Sequence, residues 1–429
     1  MGFLQLHPAI RIRILTSFLT RAVGTMIFPF MAIYFSEKLG QGLAGVLMLA
    51  NVAAQIVTSF YGGYFADRWG RKKVMVYAQA VQLFAFATMT LANSPLVESA
   101  WLTFAMMLVQ GACNGMINPA ADAMLIDVST AENRGLMYSI NYWSVNLSIA
   151  IGAMFGGLLF ATHRFELFFS LTLVGLLTLA LTAFFIEETY RPDPKHDSQK
   201  KGTGILRGMA NNYSLVMKDK LFVLYSLGGL LLLSLELQTA NYVGVRLQQE
   251  FVAQQFYFPG GFSLEITGIK VLSMIQLLNT VTVISLAMYV TKLIKRFDDK
   301  RVLYAGFFLY TVGYSIIGCS NTLWLIAAAV LVATVGELMY VPVRQTYLAE
   351  IVKAEARSSY MAVNGLVIQG AKAFGALGIS VGAVLPSGAM AALYFLMGMA
   401  GLLLTRFVLI RYGREKSSRT HRGQVSLEA

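Results

Sequence analysis

Twelve long apolar runs divide this sequence, and they constrain its fold more than any other feature. A helix needs roughly 20 apolar residues to cross a hydrocarbon core about 30 Å thick. Only 13% of the 429 residues are charged, whereas an average soluble domain has about 25%. We therefore predict an all-α integral membrane protein with twelve transmembrane spans, at about 14–36, 42–66, 74–93, 101–126, 136–161, 165–186, 221–247, 268–290, 302–320, 323–348, 359–384 and 388–410. The residues that remain are too few for a separate soluble domain of usual size.

The basic residues predict how these spans are oriented. Lys and Arg concentrate in alternate gaps between the spans, while the opposite gaps hold only Lys38, Arg164, Arg246 and at most Lys270. Such an excess marks the cytoplasmic side of a membrane protein. Because the number of spans is even, we expect both termini in the cytoplasm and the chain in the cell membrane. The net charge of +12 is then a topology signal and requires no nucleic acid as a partner.

A single long polar segment separates the first six spans from the last six. It predicts an N-terminal lobe at 1–186, a cytoplasmic linker at 187–220, a C-terminal lobe at 221–410 and a basic cytoplasmic tail at 411–429. A shift of 223 positions aligns the two lobes at Pro119 and Pro342, Asp127 and Glu350, Glu132 and Glu355, Arg134 and Arg357, Asn141 and Asn364, and Gly152 and Gly375. Parallel repeats of this kind are typical of transporters that bind substrate near the midplane. We therefore expect two pseudo-symmetric six-helix lobes.

The gap between spans 2 and 3 reads GGYFADRWGRKK, at 62–73. A carboxylate followed by bases at a helix end can latch to a neighbouring helix and release when the lobes move. The segment resembles the loop signature of major facilitators, G-x-x-x-D-R-x-G-R-[KR], and this resemblance implies the twelve-helix major facilitator fold. It also implies that an acid at the end of span 4 pairs with the loop. The predicted conformational gate comprises Gly63, Asp67, Arg68, Gly70, Arg71, Lys72, Asp127 and Arg134.

Two further segments narrow the resemblance. GELMYVPVRQTYLAE at 336–350, and MLIDVSTAENRG at 124–135 with NYWSVNLSIAIGA at 141–153, are similar to LmrP-type multidrug/proton antiporters of the drug:H+ antiporter branch. The resemblance implies that Glu337 binds cationic drugs and protons. Met107 stands where the family has Arg, and Asn141 where the LmrP-type pattern has an acid.

Charged residues inside the spans are the candidates for proton coupling. Each costs about 2.5–3.5 kcal/mol on insertion scales unless it has a partner, water or a function. The acids are Asp122, Glu236 and Glu337, and the bases are Arg21, Arg344 and Lys372. All four histidines lie in tails or loops, so proton coupling must use carboxylates, with Glu337 the first candidate and Glu236 the second. Two alternatives to a functional role stay open: Glu236 is a structural ion pair or a hydrogen-bonded acid, and Arg21 snorkels to the membrane surface.

Polar and aromatic residues near these charges are candidates for the substrate cavity. Arg344 follows Glu337 by two helical turns and can pair with Glu350 or reach toward Glu337. Most of the Phe, Tyr and Met residues pack helices or face lipid, while a minority can line an adaptable apolar surface. The cavity candidates are Glu337, Tyr340, Tyr138, Asn141, Tyr142, Trp143, Asn146, Gln238, Asn241, Arg344 and Lys372.

Enzyme signatures are missing from the sequence. It has no P-loop, no H-E-x-x-H motif and no Cys/His cluster with metal-ligand spacing, and we interpret Cys113 and Cys319 as packing residues. We expect no enzyme activity, no metal and no cofactor, so a proton gradient must supply the energy.

These features predict a secondary transporter that exports lipophilic drug-like compounds in exchange for protons by alternating access. Its partners would be the small-molecule substrate, protons and membrane lipids, and the fold needs no second copy. One alternative is another cargo on the same fold: a lipid-linked molecule, a peptide or an anionic metabolite. A second alternative is a membrane receptor or scaffold without transport.

Overall fold

The computed structural model describes residues 6–189, 216–257, 263–352 and 357–428. Within these ranges, twelve helical segments are long and apolar enough to cross a membrane. They are α1 and α2 (Pro8–Ile27 and Met31–Leu39, span 1), α3 (Gln41–Trp69), α4 (Arg71–Leu91), α5 (Ala100–Asp127), α6 (Ala131–Leu159), α7 (Arg164–Phe185), α8 and α9 (Lys220–Leu237 and Gly244–Glu250, span 7), α10 (Gly268–Ile294), α11 (Asp299–Cys319), α12 (Leu323–Ile351), α13 (Arg357–Gly382) and α14 (Ser387–Glu428). The prediction of twelve spans is confirmed.

Two spans are interrupted where the sequence predicts continuous helices. Span 1 changes to a 3₁₀ turn at Phe28–Phe30, where Pro29 lacks the N–H that an α-helix requires. Span 7 contains a π-helical turn at Thr239–Val243. Just before it, Gln238 is buried and its Nε2 donates to the carbonyl of Phe374 in α13, at 3.0 Å. Such wide turns are frequent at functional sites.

The chain forms two compact units, and neither coincides with one six-span lobe. The first comprises Met1–Gln199, Ala240–Thr280 and Ala376–Val384. Its core joins buried Phe30, Phe160 and Phe168 to Val245 and Leu272 from spans 7 and 8. The unit also holds an antiparallel hairpin of β1 (Gln254–Tyr257) and β2 (Ser263–Ile266). The six-plus-six division of the chain stays a prediction.

The second unit comprises Lys200–Thr239, Val281–Gly375 and Leu385–Ala429. In it, α11 and α12 approach closely at Gly306 and Gly336. A Cβ atom on Gly336 would lie 2.6 Å from the Gly306 carbonyl oxygen, so a side chain does not fit there. This crossing lies one turn from Tyr310 and Tyr340, whose ring centroids are 5.1 Å apart. Glycine packing therefore positions the aromatic cluster described below.

Candidate functional site

The loop between α3 and α4 has the geometry of a latch. Gly70 ends α3 with φ +102°, a left-handed conformation that favours glycine. A side chain at this position would also collide with the carboxylate of Glu188. That carboxylate accepts from the backbone N–H groups of Arg71 at 2.9 Å and Lys72 at 3.1 Å. Glu188 thus satisfies two free N–H groups of the first turn of α4, where a negative charge is favourable.

The Arg71 side chain joins the same loop to span 4. Its Nη1 atom forms an ion pair with Asp127, the last residue of α5, and both groups are largely withdrawn from solvent, at 12% and 29% exposed. Thr189 Oγ1 donates to the same carboxylate at 3.1 Å. Glu188 and Thr189 follow span 6, so three segments of the first unit meet at this point. The pairing that the resemblance implied for Arg71 and Asp127 is present.

The other predicted gate residues take different places. Arg68 is exposed and donates to the Tyr64 hydroxyl at 2.8 Å. A Cβ atom on Gly63 would meet nothing within 4 Å, whereas neighbouring Gly62 packs against the backbone of Met116 in α5. The side chains of Asp67 and Arg134 lie outside the described residues.

We expect Glu188→Ala to destabilise the protein by about 1 kcal/mol, the usual cost of losing a helix cap. The physical reason is that two N–H groups of α4 lose their carboxylate partner. Thermal unfolding in detergent measures the change. Glu187→Ala is the matched control, because Glu187 is an equally exposed acid in the preceding position. Equal melting temperatures for the two variants would show that the cap carries no stability.

A second cluster, in the second unit, contains two of the predicted proton-coupling acids. Glu236 lies near the end of α8 and is partly buried, and its Oε2 accepts from the Tyr310 hydroxyl of α11 at 3.2 Å. Glu337 lies in α12 and is also partly buried. The carboxylates of both residues act electrostatically on Tyr310, Tyr314 and Tyr340. Both acids therefore lie within electrostatic range of the same three phenols, and Glu236 contacts one of them directly.

The tyrosines of this acid–tyrosine cluster are held by ring packing. The Tyr310 and Tyr314 ring centroids are 4.7 Å apart, and those of Phe307 and Tyr340 are 4.9 Å apart. All four side chains are buried. A carboxylate that accepts from a phenol hydroxyl beside packed aromatic rings can bind either a proton or a cation.

Three further predicted cavity residues in spans 7, 10 and 11 differ in their surroundings. Asn241 lies in the π-helical turn of span 7, in the first unit. Lys372 is partly buried in α13. The guanidinium of Arg344 lies over the Tyr225 ring of α8, 5.4 Å from its centroid.

The predicted cavity residues in the N-terminal half are not gathered into one cluster by the described contacts. Tyr138, Tyr142 and Trp143 are all more than half exposed, and Asn146 donates to the Tyr142 carbonyl of its own helix. Asn141 is partly buried.

Asp122, the third predicted proton-coupling acid, is exposed in α5. It interacts electrostatically with Arg13 and Arg21 of α1. Both bases lie in the first unit, as Asp122 does. Among the described residues, no three His, Cys, Asp or Glu side chains are grouped to hold a metal ion.

Sequence reasoning missed Glu188, Thr189, Tyr310 and Tyr225. Glu188 and Thr189 were part of the predicted linker, and nothing local to them indicates that they fold back on α4. The run FLYTVGY at 308–314 does contain a signal, since Tyr310 and Tyr314 are one helical turn apart and share a face. In the sequence alone this run resembles ordinary helix packing. Its relation to the site becomes visible only when the structure brings Glu236 against Tyr310.

Twelve helices long enough to cross a membrane, an ion pair at the end of span 4 and three acids within the spans are features of a multi-pass membrane transporter. The chain belongs to the Major Facilitator Superfamily, whose family model matches residues 14–268 and 261–427. The predicted fold and the predicted family are thereby confirmed, and members of this family are transporters rather than enzymes.

Curated relatives cover most of the chain. A protein of Planococcus maritimus named Na(+), Li(+), K(+)/H(+) antiporter is 30% identical over 364 residues, 84% of this chain and 86% of the relative. The multidrug resistance protein MdtH of Cronobacter sakazakii is 25% identical over 353 residues, 81% of this chain and 80% of the relative. Both names are consistent with the predicted resemblance to the drug:H+ antiporter branch.

Solved structures share the fold at low sequence identity. The peptide transporter POT in complex with sulfate superposes with a TM-score of 0.69 at 16% identity, covering 96% of each chain. The nucleoside transporter NupG gives a TM-score of 0.65 at 13% identity, covering 95% of this chain and 99% of its own. At these identities the likeness concerns the fold alone.

Proposed function

We propose that this transporter exports lipophilic cations in exchange for protons across the cell membrane, with both termini in the cytoplasm. The observation that carries the proposal is the acid–tyrosine cluster, in which Glu236 and Glu337 come from different spans and act on the same three phenols. Protonated, the cluster releases a cation; deprotonated, it attracts one. A proton gradient then supplies the energy, and no cofactor is required.

Transport is coupled to the proton gradient because a proton and a substrate cation compete for the same carboxylates. A charged carboxylate in a membrane span is costly without a counter-ion or water, so binding of a proton or a cation stabilises these acids. Buried rings of Phe307, Tyr310 and Tyr340 offer aromatic faces that attract organic cations. Alternating access requires the gate to open and close, and the Arg71–Asp127 pair is suited to that role because its bonds can be exchanged for water.

A second candidate is the exchange of alkali metal cations for protons. The name of the Planococcus maritimus relative favours it. The carboxylate of Glu236 and the Tyr310 hydroxyl, 3.2 Å apart, are oxygen ligands of the kind that alkali cations take. Both candidates use the same two acids and differ only in cargo.

One assay tests the proposal and separates the two cargoes. Proteoliposomes with a trapped pH indicator receive an imposed proton gradient, followed by tetraphenylphosphonium, Na⁺ or K⁺. We expect the lipophilic cation to dissipate the gradient faster than in protein-free liposomes. Dissipation by Na⁺ or K⁺ alone would favour the second candidate. A gradient that no cation dissipates would contradict proton-coupled cation exchange.

A further inference from the structure

The segment that joins α10 to α11 carries an exposed surface in which basic and apolar side chains are interleaved. Phe297 is 60% exposed and lies beyond the end of α10, while Tyr289 and Leu293 of α10 are 74% and 54% exposed. Five bases lie among these residues or directly after them, and all five are exposed. We call the following eight residues, all in the second unit, the basic–apolar patch: Tyr289, Lys292, Leu293, Lys295, Arg296, Phe297, Lys300 and Arg301.

Helical spacing brings the two kinds of side chain together. Lys292 and Leu293 follow Tyr289 by three and four residues in α10, and residues so spaced are neighbours on one face of a helix. The Arg296 N–H donates to the carbonyl of Leu293 at 3.1 Å, so the turn continues past the end of the helix. Bases therefore lie beside apolar side chains at the end of span 8.

The positive charge of the patch is not balanced by ion pairs within the described part of the chain. None of the five bases forms an ion pair with a described residue. The two acids of the same segment belong to the start of α11: Asp298 Oδ1 accepts from the backbone N–H of Arg301 at 3.0 Å, and Asp299 lies in the first helical turn. Acids are favourable at a helix N-terminus. The patch thus presents a surplus of positive charge to its surroundings.

The corresponding loop of the first unit, between spans 2 and 3, has partners for its bases. Arg71 forms an ion pair with Asp127, and the Glu188 carboxylate accepts from the N–H groups of Arg71 and Lys72. Those acids lie at the end of span 4 and just after span 6. In the second unit the described residues provide no such ion pair for the five bases, which leaves them accessible to a negatively charged ligand from outside the protein.

We propose that the basic–apolar patch binds anionic phospholipids of the cytoplasmic leaflet, with the bases on the headgroup phosphates and the apolar side chains on the acyl chains. Clusters of about four to eight bases directly beside a transmembrane helix attract anionic lipids. Tyrosine favours the interface between headgroups and acyl chains, and long basic side chains reach from there to the phosphates. The inference rests on the proposed orientation of the chain and is independent of the cargo.

The apolar members of the patch favour a lipid over a soluble anion. Tyr289 and Leu293 continue the exposed apolar surface of span 8, where neighbouring Met288 is 71% exposed. A soluble anion would contact the bases alone and leave these side chains in water. A phospholipid covers both parts of the patch at once.

The test is a titration of the purified full-length protein in neutral detergent, in which native mass spectrometry gives the apparent Kd of phosphatidylglycerol and of phosphatidylcholine. Wild type should bind phosphatidylglycerol more tightly, and a higher ionic strength should reduce the difference. In the double variant Lys292→Gln/Arg296→Gln we expect the Kd of phosphatidylglycerol to rise about ten- to thirtyfold, because each base near an anionic lipid surface contributes a factor of about five. The Kd of phosphatidylcholine should not change.

The matched control is Lys218→Gln/Lys220→Gln, which removes two exposed bases of the second unit at the start of α8. We expect it to raise the Kd of phosphatidylglycerol by a much smaller factor. Thermal unfolding without phosphatidylglycerol should match wild type for both double variants, which shows that they are folded.

Three results would overturn the assignment. An unchanged Kd in Lys292→Gln/Arg296→Gln would leave the bases to another acidic partner. Equal rises in that variant and in the control would mean that the net charge of the protein attracts the lipid. Competition by soluble glycerol phosphate at the concentration of the lipid would assign the patch to free phosphate groups. Lipid binding is measured without transport, so its failure is distinguishable from failure of the proposed cation exchange.

Discussion

We expect Glu337→Gln to reduce cation-driven proton exchange to the level of protein-free vesicles. Glutamine keeps the size and the polarity of the side chain but can neither carry a proton nor attract a cation. In the acid–tyrosine cluster, the charge of Glu337 acts on Tyr310, Tyr314 and Tyr340, so its removal affects the whole cluster. The measurement is the cation-induced change of internal pH in proteoliposomes.

Two companion variants make the Glu337 result specific. Glu236→Gln should give a similar loss, whereas Tyr310→Phe removes only the hydroxyl that donates to Glu236 and should leave measurable exchange. Glu265→Gln is the control, since Glu265 is an exposed acid in the β-hairpin. Undiminished exchange by Glu337→Gln would refute its role as the proton-coupling residue.

Asp127→Asn lowers the rate of transport about tenfold or more, the second large effect that we expect. The substitution removes the ion pair with Arg71 and weakens the hydrogen bond from Thr189. Charged hydrogen bonds contribute about 1.5–3 kcal/mol, and about 1.4 kcal/mol changes an equilibrium constant tenfold. Loss of the pair should therefore shift the balance between states of the gate by one to two orders of magnitude.

A double-mutant cycle shows whether the effect belongs to the pair. Arg71→Gln, Asp127→Asn and the double variant are compared for transport rate and thermal stability, and we expect the double variant to lose no more than either single variant. Lys73→Gln is the matched control, because it removes one exposed base from the same loop. Strictly additive losses would mean that Arg71 and Asp127 act independently.

The spans and the contact between Arg71 and Asp127 were predictable because their signals are local. The length of each apolar run predicts the bounds of its span within a few residues. The run predicted at 165–186, for example, corresponds to α7, Arg164–Phe185. The spacing in the loop at 62–73 identified Arg71, and the resemblance supplied Asp127 as its partner. The interruption of span 7 at Thr239–Val243 was not predicted from the sequence, and Gln238 just before it bonds to the backbone of α13.

The acid–tyrosine cluster was predicted only in part, and a comparison of its acids with its tyrosines shows the physical reason. Glu236 and Glu337 stand out in the sequence because charges in apolar spans are costly. Their common phenols do not stand out, because Tyr310 and Tyr314 resemble packing residues until the Gly306–Gly336 crossing brings α11 against α12.

The sequence by itself determined that this protein is a twelve-span membrane protein, which side of it carries the positive charge and which charges lie inside the spans. These properties depend on the free energy of transfer from water to lipid, which is summed along the chain. Only the tertiary structure decided that Glu188 caps α4, that Tyr310 bonds to Glu236 and that Arg344 lies over Tyr225. Those contacts join residues more than 70 positions apart, and they depend on which helices are neighbours and on the rotation of each helix about its axis.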